Sequence, residues 1–336
     1  MTLDYYAWLQ SRNALKNPEN TPVAWALTSG FVDHVSEDFL EAEIEKIEAE
    51  REIEEAKRIN DHNRRQEAER AKGQAEGKKT NLRDKYMRKV PRRFPVKCYP
   101  LLQTNFSSLP SSRWLALQVD FALLTPWYSK DDRVFHLMDN PVRKDRVFGV
   151  PFMAASSWKG MLRWACRMQA GLREHFEVGK RFEDWADPDW ILHLFGNEKG
   201  EGEEFSRGAL AFYPTWFDRI GFEVINPHSR ERRAGTQPIY YEVVPPGVKG
   251  TLTLLYAPWP GIKPVAKAEE VLPKLLEAIE ALLTTYGISA KRTVGWGTAE
   301  VGKWRAFHKT GGNVEKNNRA DLEQEVQTWL SKGTKA

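Results

Sequence analysis

Residues 138–167 read MDNPVRKDRVFGVPFMAASSWKGMLRWACR. The stretch has two parts: a polar turn, Asp139-Asn140-Pro141, that leads into a basic strand-like segment, and a helix start at Ser156-Ser157. In the helix Lys159, Arg163 and Arg167 recur at i, i+4 and i+8, which at 3.6 residues per turn puts them on one face. Met161, Ala165, Met168 and Leu172 fall on the other face at i, i+4, i+7 and i+11. One side is expected to seek a core and the other to carry three cations. Either serine can be the N-cap, its oxygen accepting from a first-turn N–H. The remaining free N–H groups and the helix dipole favour an anion. Gly160 is a weaker helix former than Ala, so its place in the first turn suggests close approach by another backbone or a ligand. The same pattern describes an amphipathic helix with a solvated basic face.

A second stretch, GISAKRTVGWG at 287–297, reads as a flexible glycine turn. Gly295 and Gly297 flank Trp296 and let main-chain N–H groups approach a phosphate, while Lys291 and Arg292 add charge. The turn is not a Walker loop, because no Gly-Lys-Ser/Thr ends it. It follows a helix rather than a first strand, so it is not a dinucleotide fingerprint. Recognition of a nucleic-acid backbone fits better. Both stretches must then meet on one side of a sheet to grip a sugar–phosphate strand.

Length and composition set the bounds. The chain has 336 residues, 41% hydrophobic and 29% charged, with net charge +4. That suits one elaborated domain with an extension, or two domains. Cys98 and Cys166 stand far apart with no CxxC, against a disulfide scaffold or zinc site and in keeping with a reducing cytosol. The first residues lack a secretory layout, and no apolar run approaches the roughly 20 residues that cross a bilayer. A soluble cytoplasmic protein with no membrane partner is expected.

Four segments are expected. Residues 1–34 hold scattered aromatics for packing. Residues 35–97 form a charged helical arm and basic linker. Within it, 36–72 read as one long helix with a short stripe of Leu40, Ile44 and Ile47 and an exposed distal half held by i,i+4 ion pairs. Residues 41–55 carry eight Glu, and 64–97 carry thirteen Lys or Arg against four acids. The basic run, interleaved with Tyr86 and Phe94, suits phosphate neutralisation and stacking, or a solvated linker. Residues 112–308 form the compact body, with strands near 114–123, 208–214, 250–256 and 298–301, a short helix stopped by Gly196, and a helix near 269–286 stopped by Gly287. Strand–helix–strand order with sheet-packed helices predicts a ferredoxin-like, RRM-like α+β arrangement. Residues 309–336 read as a loosely attached tail with a helix at 320–331. On the loop at 226–241, His228, Arg230, Arg232 and Arg233 cluster. Arginine suits bidentate phosphate contacts, and the histidine also fits a structural loop role.

The two glycine- and serine-bearing stretches together resemble the RAMP superfamily, the RNA-binding subunits of CRISPR effector complexes. The family's Pro-Gly-Ser-Ser-Leu-Lys-Gly-x-x-Arg helix start is here Ala154-Ala155-Ser156-Ser157-Trp158-Lys159-Gly160-Met161-Leu162-Arg163, with alanines in place of Pro-Gly. Its late glycine loop is matched by Gly287, Lys291, Gly295 and Gly297. Leu194-Phe195-Gly196, then a variable acidic loop and Arg207-Gly208, also follow the family pattern, as do Pro238, Ile239 and Glu242. The likeness covers roughly 112–308 and implies a RAMP core with a long charged N-terminal helical extension.

The resemblance implies a guide (crRNA)-binding backbone subunit of a type III ribonucleoprotein that targets RNA in antiviral defence. Guide RNA, target RNA and other effector subunits would be its partners. Arg143, Ser156, Ser157, Lys159, Arg163, Arg167, His228, Arg230, Arg232, Arg233, Lys291, Arg292, Gly295 and Gly297 would touch RNA. In the catalytic subunits of that family, the Asp matching Asp139 promotes metal-dependent cleavage of target RNA. Asp139 would then be catalytic and hold Mg²⁺, with the adjacent 2′-hydroxyl attacking its own phosphodiester and Arg143 stabilising charge. Asp139 equally suits an Asx turn. Tyr128-Ser129-Lys130-Asp131-Asp132 replaces the family's glycine-rich lead-in, and the late loop looks like that of non-cleaving end subunits. Two alternatives stay open: a non-catalytic structural subunit of the same complex, and a stand-alone guide-processing endoribonuclease using His228 as general acid or base.

Overall fold

The computed structural model describes residues 34–89, 104, 106, 108–132, 136–145, 149–197, 207–226, 238–261 and 264–333. The chain begins there with two helices, α1 (His34–Arg58) and α2 (His62–Lys89). Next come β1 (Leu115–Leu123), β2 (Phe152–Met153), α3 (Ala155–Gln169), α4 (Leu172–Glu177) and α5 (Asp189–Phe195). Then follow β3 (Leu210–Phe212), β4 (Thr215–Trp216), β5 (Gly221–Ile225), β6 (Ile239–Val243) and β7 (Lys249–Tyr256). The last elements are α6 (Ala268–Ala281), β8 (Ala299–His308), β9 (Gly312–Lys316) and α7 (Arg319–Gly333). Two compact units share these elements. The first takes the described parts of Met1–Phe94, Lys130–Pro151 and Arg219–Val243; the second takes those of Pro95–Ser129, Phe152–Asp218 and Val244–Ala336. Two segments of the expected 112–308 body therefore group with the helical extension rather than with the sheet.

The second unit is the α+β body. Its five-stranded sheet has the order β3-β7-β1-β8-β9, with every neighbouring pair antiparallel. The chain runs from β1 through α3 to β3, and from β7 through α6 to β8, so each helical crossover skips one strand. Alternation along β1 decides which face is buried: Leu115, Leu117, Val119, Phe121 and Leu123 are all at most 2% exposed. Their cross-strand partners include Leu254 on β7 and Ala306 and Trp304 on β8, also sealed from solvent. From α6, the side chains Val271, Leu272, Leu275, Leu276 and Ile279 supply the helical half of this core, and α3 packs beside α6. Gly287 ends the helical run with φ 77°, a conformation that favours glycine. Residues 309–333 are not the loose tail expected. β9 pairs with β8 from Trp304 to His308. Leu322, Val326 and Trp329, at i, i+4 and i+7, bury one stripe of α7, and Trp329 stacks on His308. Among the described residues no helix is long and apolar enough to cross a membrane.

In the first unit, the single helix expected over 36–72 is corrected to a hairpin. The chain reverses at Asn60, which takes φ 59°, a left-handed conformation Asn tolerates. Asp61 then accepts from the Arg64 N–H at 3.0 Å to cap α2. The seam between the helices is alanine at seven-residue spacing: Ala42, Ala49 and Ala56 on α1, Ala68 and Ala75 on α2, all buried. Such small side chains let two helix backbones close together, and they escape a search for large apolar residues. Ile44 and Ile47 of the expected stripe are instead 47% and 43% exposed. The segregated charges meet across the seam: Lys78 lies 2.7 Å from Glu45, Lys72 3.0 Å from Glu50 and Arg64 2.7 Å from Glu52. These exposed pairs are individually weak, but they favour the antiparallel pairing. Much of the basic run up to Lys89 is thus a helix whose cations face an acidic partner helix, not a linker open to phosphate. Residues 90–97 lie outside the described residues.

The end of α2 is anchored in a buried polar cluster. Lys144 Nζ lies 2.7 Å from both carboxylate oxygens of Glu242, and the Tyr86 hydroxyl donates to Glu242 Oε1 at 2.8 Å. Val142 N–H donates to Oε2 at 3.1 Å. The side chains of Lys144 and Glu242 are fully buried. Burial pushes the Glu242 carboxyl up, but the facing charges of Lys144 and His136 and the hydrogen bonds from Lys144 and Tyr86 hold it below the usual glutamate value. The cluster joins α2, the segment around 142–144 and the β5–β6 hairpin, in which Phe222 pairs with Glu242.

Candidate nucleic-acid interface

The start of α3 is set by backbone geometry rather than by a serine. Trp158 N–H donates to Ala154 O at 3.1 Å, so Ala154, with φ −67° and ψ 149° and no side-chain cap, is the N-cap. The expected cap role of Ser156 or Ser157 is corrected: the helix already includes both. Its first N–H groups are left without a capping side chain, and Ser157 lines a cavity beside them. Ser156 is exposed.

The expected face of three cations is also corrected. Lys159 is exposed, but Arg163 and Arg167 are buried and both grip Asp187. Arg163 reaches Asp187 Oδ2 at 2.6 Å and Arg167 reaches Oδ1 at 2.6 Å, while Trp185 Nε1 donates to Oδ1 at 2.8 Å. Burial raises the Asp187 carboxyl, yet the hydrogen bonds from Arg167, Trp185 and Arg163 outweigh it and the net shift is downward. Two of the three positive charges are thus spent inside the protein. Although the side chain is exposed, partial desolvation by neighbouring atoms, with some repulsion from Arg163, lowers the Lys159 ammonium from its ordinary value.

The late glycine stretch is held rather than flexible. Ile288 N–H donates to Gly297 O at 2.9 Å, and Ala290 N–H to Tyr128 O at 2.8 Å. Trp127 Nε1 donates to Ile288 O at 2.8 Å, and the Ser289 hydroxyl donates to Tyr128 O at 3.1 Å. Gly297 has φ 90°, and a Cβ there would stand 2.4 Å from Ser289 N. Only glycine lets the loop close on itself there. Gly295, at φ 85°, follows the tight turn Arg292–Val294, and a Cβ there would meet nothing within 4 Å. Lys291 opens that turn.

These two stretches, about 130 residues apart in the chain, line one cavity. Its volume is about 470 Å³, and its walls include Ser157, Gly160, Met161, Trp164 and Arg167 of α3, Ala290 and Arg292 of the loop, and Trp127 and Ser129. The Arg292 guanidinium lies over the Trp164 ring with its centre 4.1 Å from the ring centroid. Its Nη1 is buried with no hydrogen-bond partner among the described residues. Such an orphaned donor costs about 1–3 kcal/mol unless something accepts from it. Burial lowers the Arg292 pKa without discharging the group near neutral pH. Gly160 has open space where a Cβ would sit; the crowding expected there comes from no protein atom. Sequence reading missed Trp164, Met161, Trp127 and Ser129. Ser157, Gly160, Met161 and Trp164 recur at i, i+3, i+4 and i+7, so the face was legible as one mixed polar and aromatic stripe.

Asp139 and Arg143 belong to the first unit. Asp139 is an exposed carboxylate whose Oδ1 accepts from Arg83 Nη2 at 2.6 Å, and Arg83 Nε donates to Leu137 O at 2.9 Å. Arg143 is paired with Asp132 at 3.1 Å. A Mg²⁺ ion here would have Asp139 as its protein ligand, with water and phosphate oxygens supplying the rest. One Asp139 oxygen already serves a guanidinium, and among the described residues no three His, Cys, Asp or Glu side chains gather as metal ligands. His228, Arg230, Arg232 and Arg233 lie outside the described residues.

A family model for the RAMP superfamily matches residues 120–300, just over half of the chain. Comparison with curated proteins finds no match. Among solved structures the chain is similar to one in the cryo-EM structure of the Type III-B Cmr-beta bound to cognate target RNA. The identity is 15%, the TM-score is 0.53, and the alignment covers 90% of this chain and 99% of that one. That likeness is one of fold, and the family match spans both the α3 start and most of the strand, helix and loop order around it. On that match, this protein belongs to the RAMP superfamily.

Proposed function

We propose that the chain binds guide RNA as a backbone subunit of a type III CRISPR ribonucleoprotein that targets RNA. The observation that carries the reading is the shared cavity, where the uncapped start of α3 and the 287–297 loop come together. Backbone N–H groups, a helix dipole, the Ser157 hydroxyl and a guanidinium suit a phosphodiester and read no base edge. A guide of arbitrary sequence needs recognition of that kind. The solved structure that the chain resembles is itself bound to cognate target RNA.

Within this reading the site favours a structural subunit over a cleaving one. Arg83 pairs with Asp139, and among the described residues no group of three metal-ligating side chains is found. Asp139→Ala in the assembled complex tests this choice: target RNA cut at the same positions as before supports it, and loss of any cut assigns that cut to Asp139. The stand-alone nuclease reading requires metal-free cleavage of guide precursor by the purified chain, abolished by His228→Ala. Co-expression with neighbouring subunits, followed by sequencing of the retained RNA, tests the main reading. A discrete set of short guides supports it, and a complex free of nucleic acid overturns it.

A further inference from the structure

The alanine seam uses one face of each hairpin helix, and the opposite faces are unlike each other. On α1, Ile44 and Ile47 lie opposite Ala42 and Ala49 by helical spacing and stand 47% and 43% exposed. Asp38, Glu41, Glu48 and Glu55 are exposed around them. On α2, Gly73 and Gly77 are one turn apart and so share a face. That face lies opposite Ala68 and Ala75 and is exposed, with nothing within 4 Å of where either Cβ would be. Glycine weakens a helix interior relative to alanine, and the seam gains nothing from either one. What the two glycines provide is a shallow recess in which another helix can approach the backbone closely. Exposed Arg70, Lys85 and Arg88 flank it.

Height and charge match the two faces. The ion pairs Glu45–Lys78 and Glu50–Lys72 fix how the helices lie alongside each other, and they put Ile44 and Ile47 level with Gly77. Along α1 ten Asp or Glu stand against four Lys or Arg; along α2 ten Lys or Arg stand against four Asp or Glu. Two α1 faces would therefore repel each other, and the acids around Ile44 would repel a nucleic acid. The basic outer face of α2 is attracted instead. We propose that the hairpin is a docking surface for a second copy of this chain, with Ile44 and Ile47 of one copy seated over Gly73 and Gly77 of the next. Arg70 then faces Glu48 and Glu55, Lys85 faces Asp38 and Glu41, and Arg51 faces Glu67. The contact joins unlike faces, so each pair of copies still offers one of each, and further copies add in a row or ring. It lies on the N-terminal hairpin, outside the 120–300 stretch that the family model matches, and it stands independently of the RNA-binding reading.

The test is sedimentation velocity of the purified full chain after nuclease treatment, so that association through RNA is not read as protein contact. Wild type is expected to gain mass with concentration, past that of a dimer. Ile44→Glu with Ile47→Glu, and separately Gly73→Gln with Gly77→Gln, should each weaken association by about tenfold or more. All four positions are exposed, and Gln is a better helix former than Gly, so the second pair keeps the fold if the first disturbs it. An equimolar mixture of the two double variants should form dimers and stop there, because each supplies the face the other lacks. A monomeric wild type, association unchanged in both double variants, or a mixture that stays monomeric overturns the proposal, and each of these leaves the RNA reading standing.

Discussion

The Arg292 guanidinium stands 4.1 Å above the Trp164 ring, so a residue of the late loop is clamped to the third turn of the helix that opens at Ala155. This cation–π pair gives the loop charge a fixed position, which a lysine on a flexible stem does not share. Arg292→Lys should therefore weaken RNA binding several-fold at any one salt concentration while leaving the salt dependence nearly intact. Arg292→Gln should also reduce the slope of log affinity against log salt by about 0.7 if the guanidinium meets one phosphate. Titrations at four or more salt concentrations separate the two variants.

Asp187 holds Arg163 and Arg167 together, and both arginines are buried. Asp187→Ala strands two buried cations and should cost about 3–5 kcal/mol of stability, read by chemical denaturation. Asp187 and Glu242 both have carboxyls held below their ordinary values in the folded chain. Their contribution is therefore complete at neutral pH. It begins to fall near the unfolded values of about 3.9 for Asp and 4.3 for Glu, and is lost as pH drops through the folded values. Asp187→Asn should flatten the acid limb of the stability–pH curve, and an unchanged limb would contradict the assignment.

The alanine seam makes an unusual demand: larger apolar residues there should harm the hairpin. Ala49→Leu, at a position 4% exposed, should destabilise it by about 1–3 kcal/mol through overpacking. Ile44→Ala, at a position 47% exposed, should change stability by less than about 0.5 kcal/mol. Amide exchange across 34–89 measures both.

Two glycines in motif positions should respond in opposite directions. Gly297→Ala meets Ser289 N at 2.4 Å with φ 90°, and a strained backbone of that kind costs about 1–3 kcal/mol. Gly160→Ala meets no neighbour and should stabilise α3 by up to about 1 kcal/mol. Thermal melting of the two variants shows the signs directly.

The sheet strands, α6 and its stop at Gly287 were legible because alternation in 115–123 and the 3.6-residue stripe of 271–279 report burial directly. The meeting of the α3 start with the 287–297 loop was expected from the resemblance that pairs the two stretches, not from periodicity. What sequence periodicity hid was partnership. The basic face of α3 looked solvated because Asp187, some twenty residues on, carries no local signal of its two arginines. The hairpin of α1 and α2 looked like one helix because its seam is alanine and its turn a single left-handed Asn60. The C-terminal helix looked loose because its stripe of Leu322, Val326 and Trp329 is short and its docking strand β9 weakly apolar.

Ultraviolet crosslinking of RNA within the purified complex, with the linked peptides identified by mass spectrometry, tests most directly whether the helix start and the late loop hold the strand. The expected result is crosslinked nucleotide on peptides spanning Ser157 to Trp164 or Ala290 to Trp296. Crosslinks confined to the α1–α2 hairpin, with none on either of those peptides, would contradict the account.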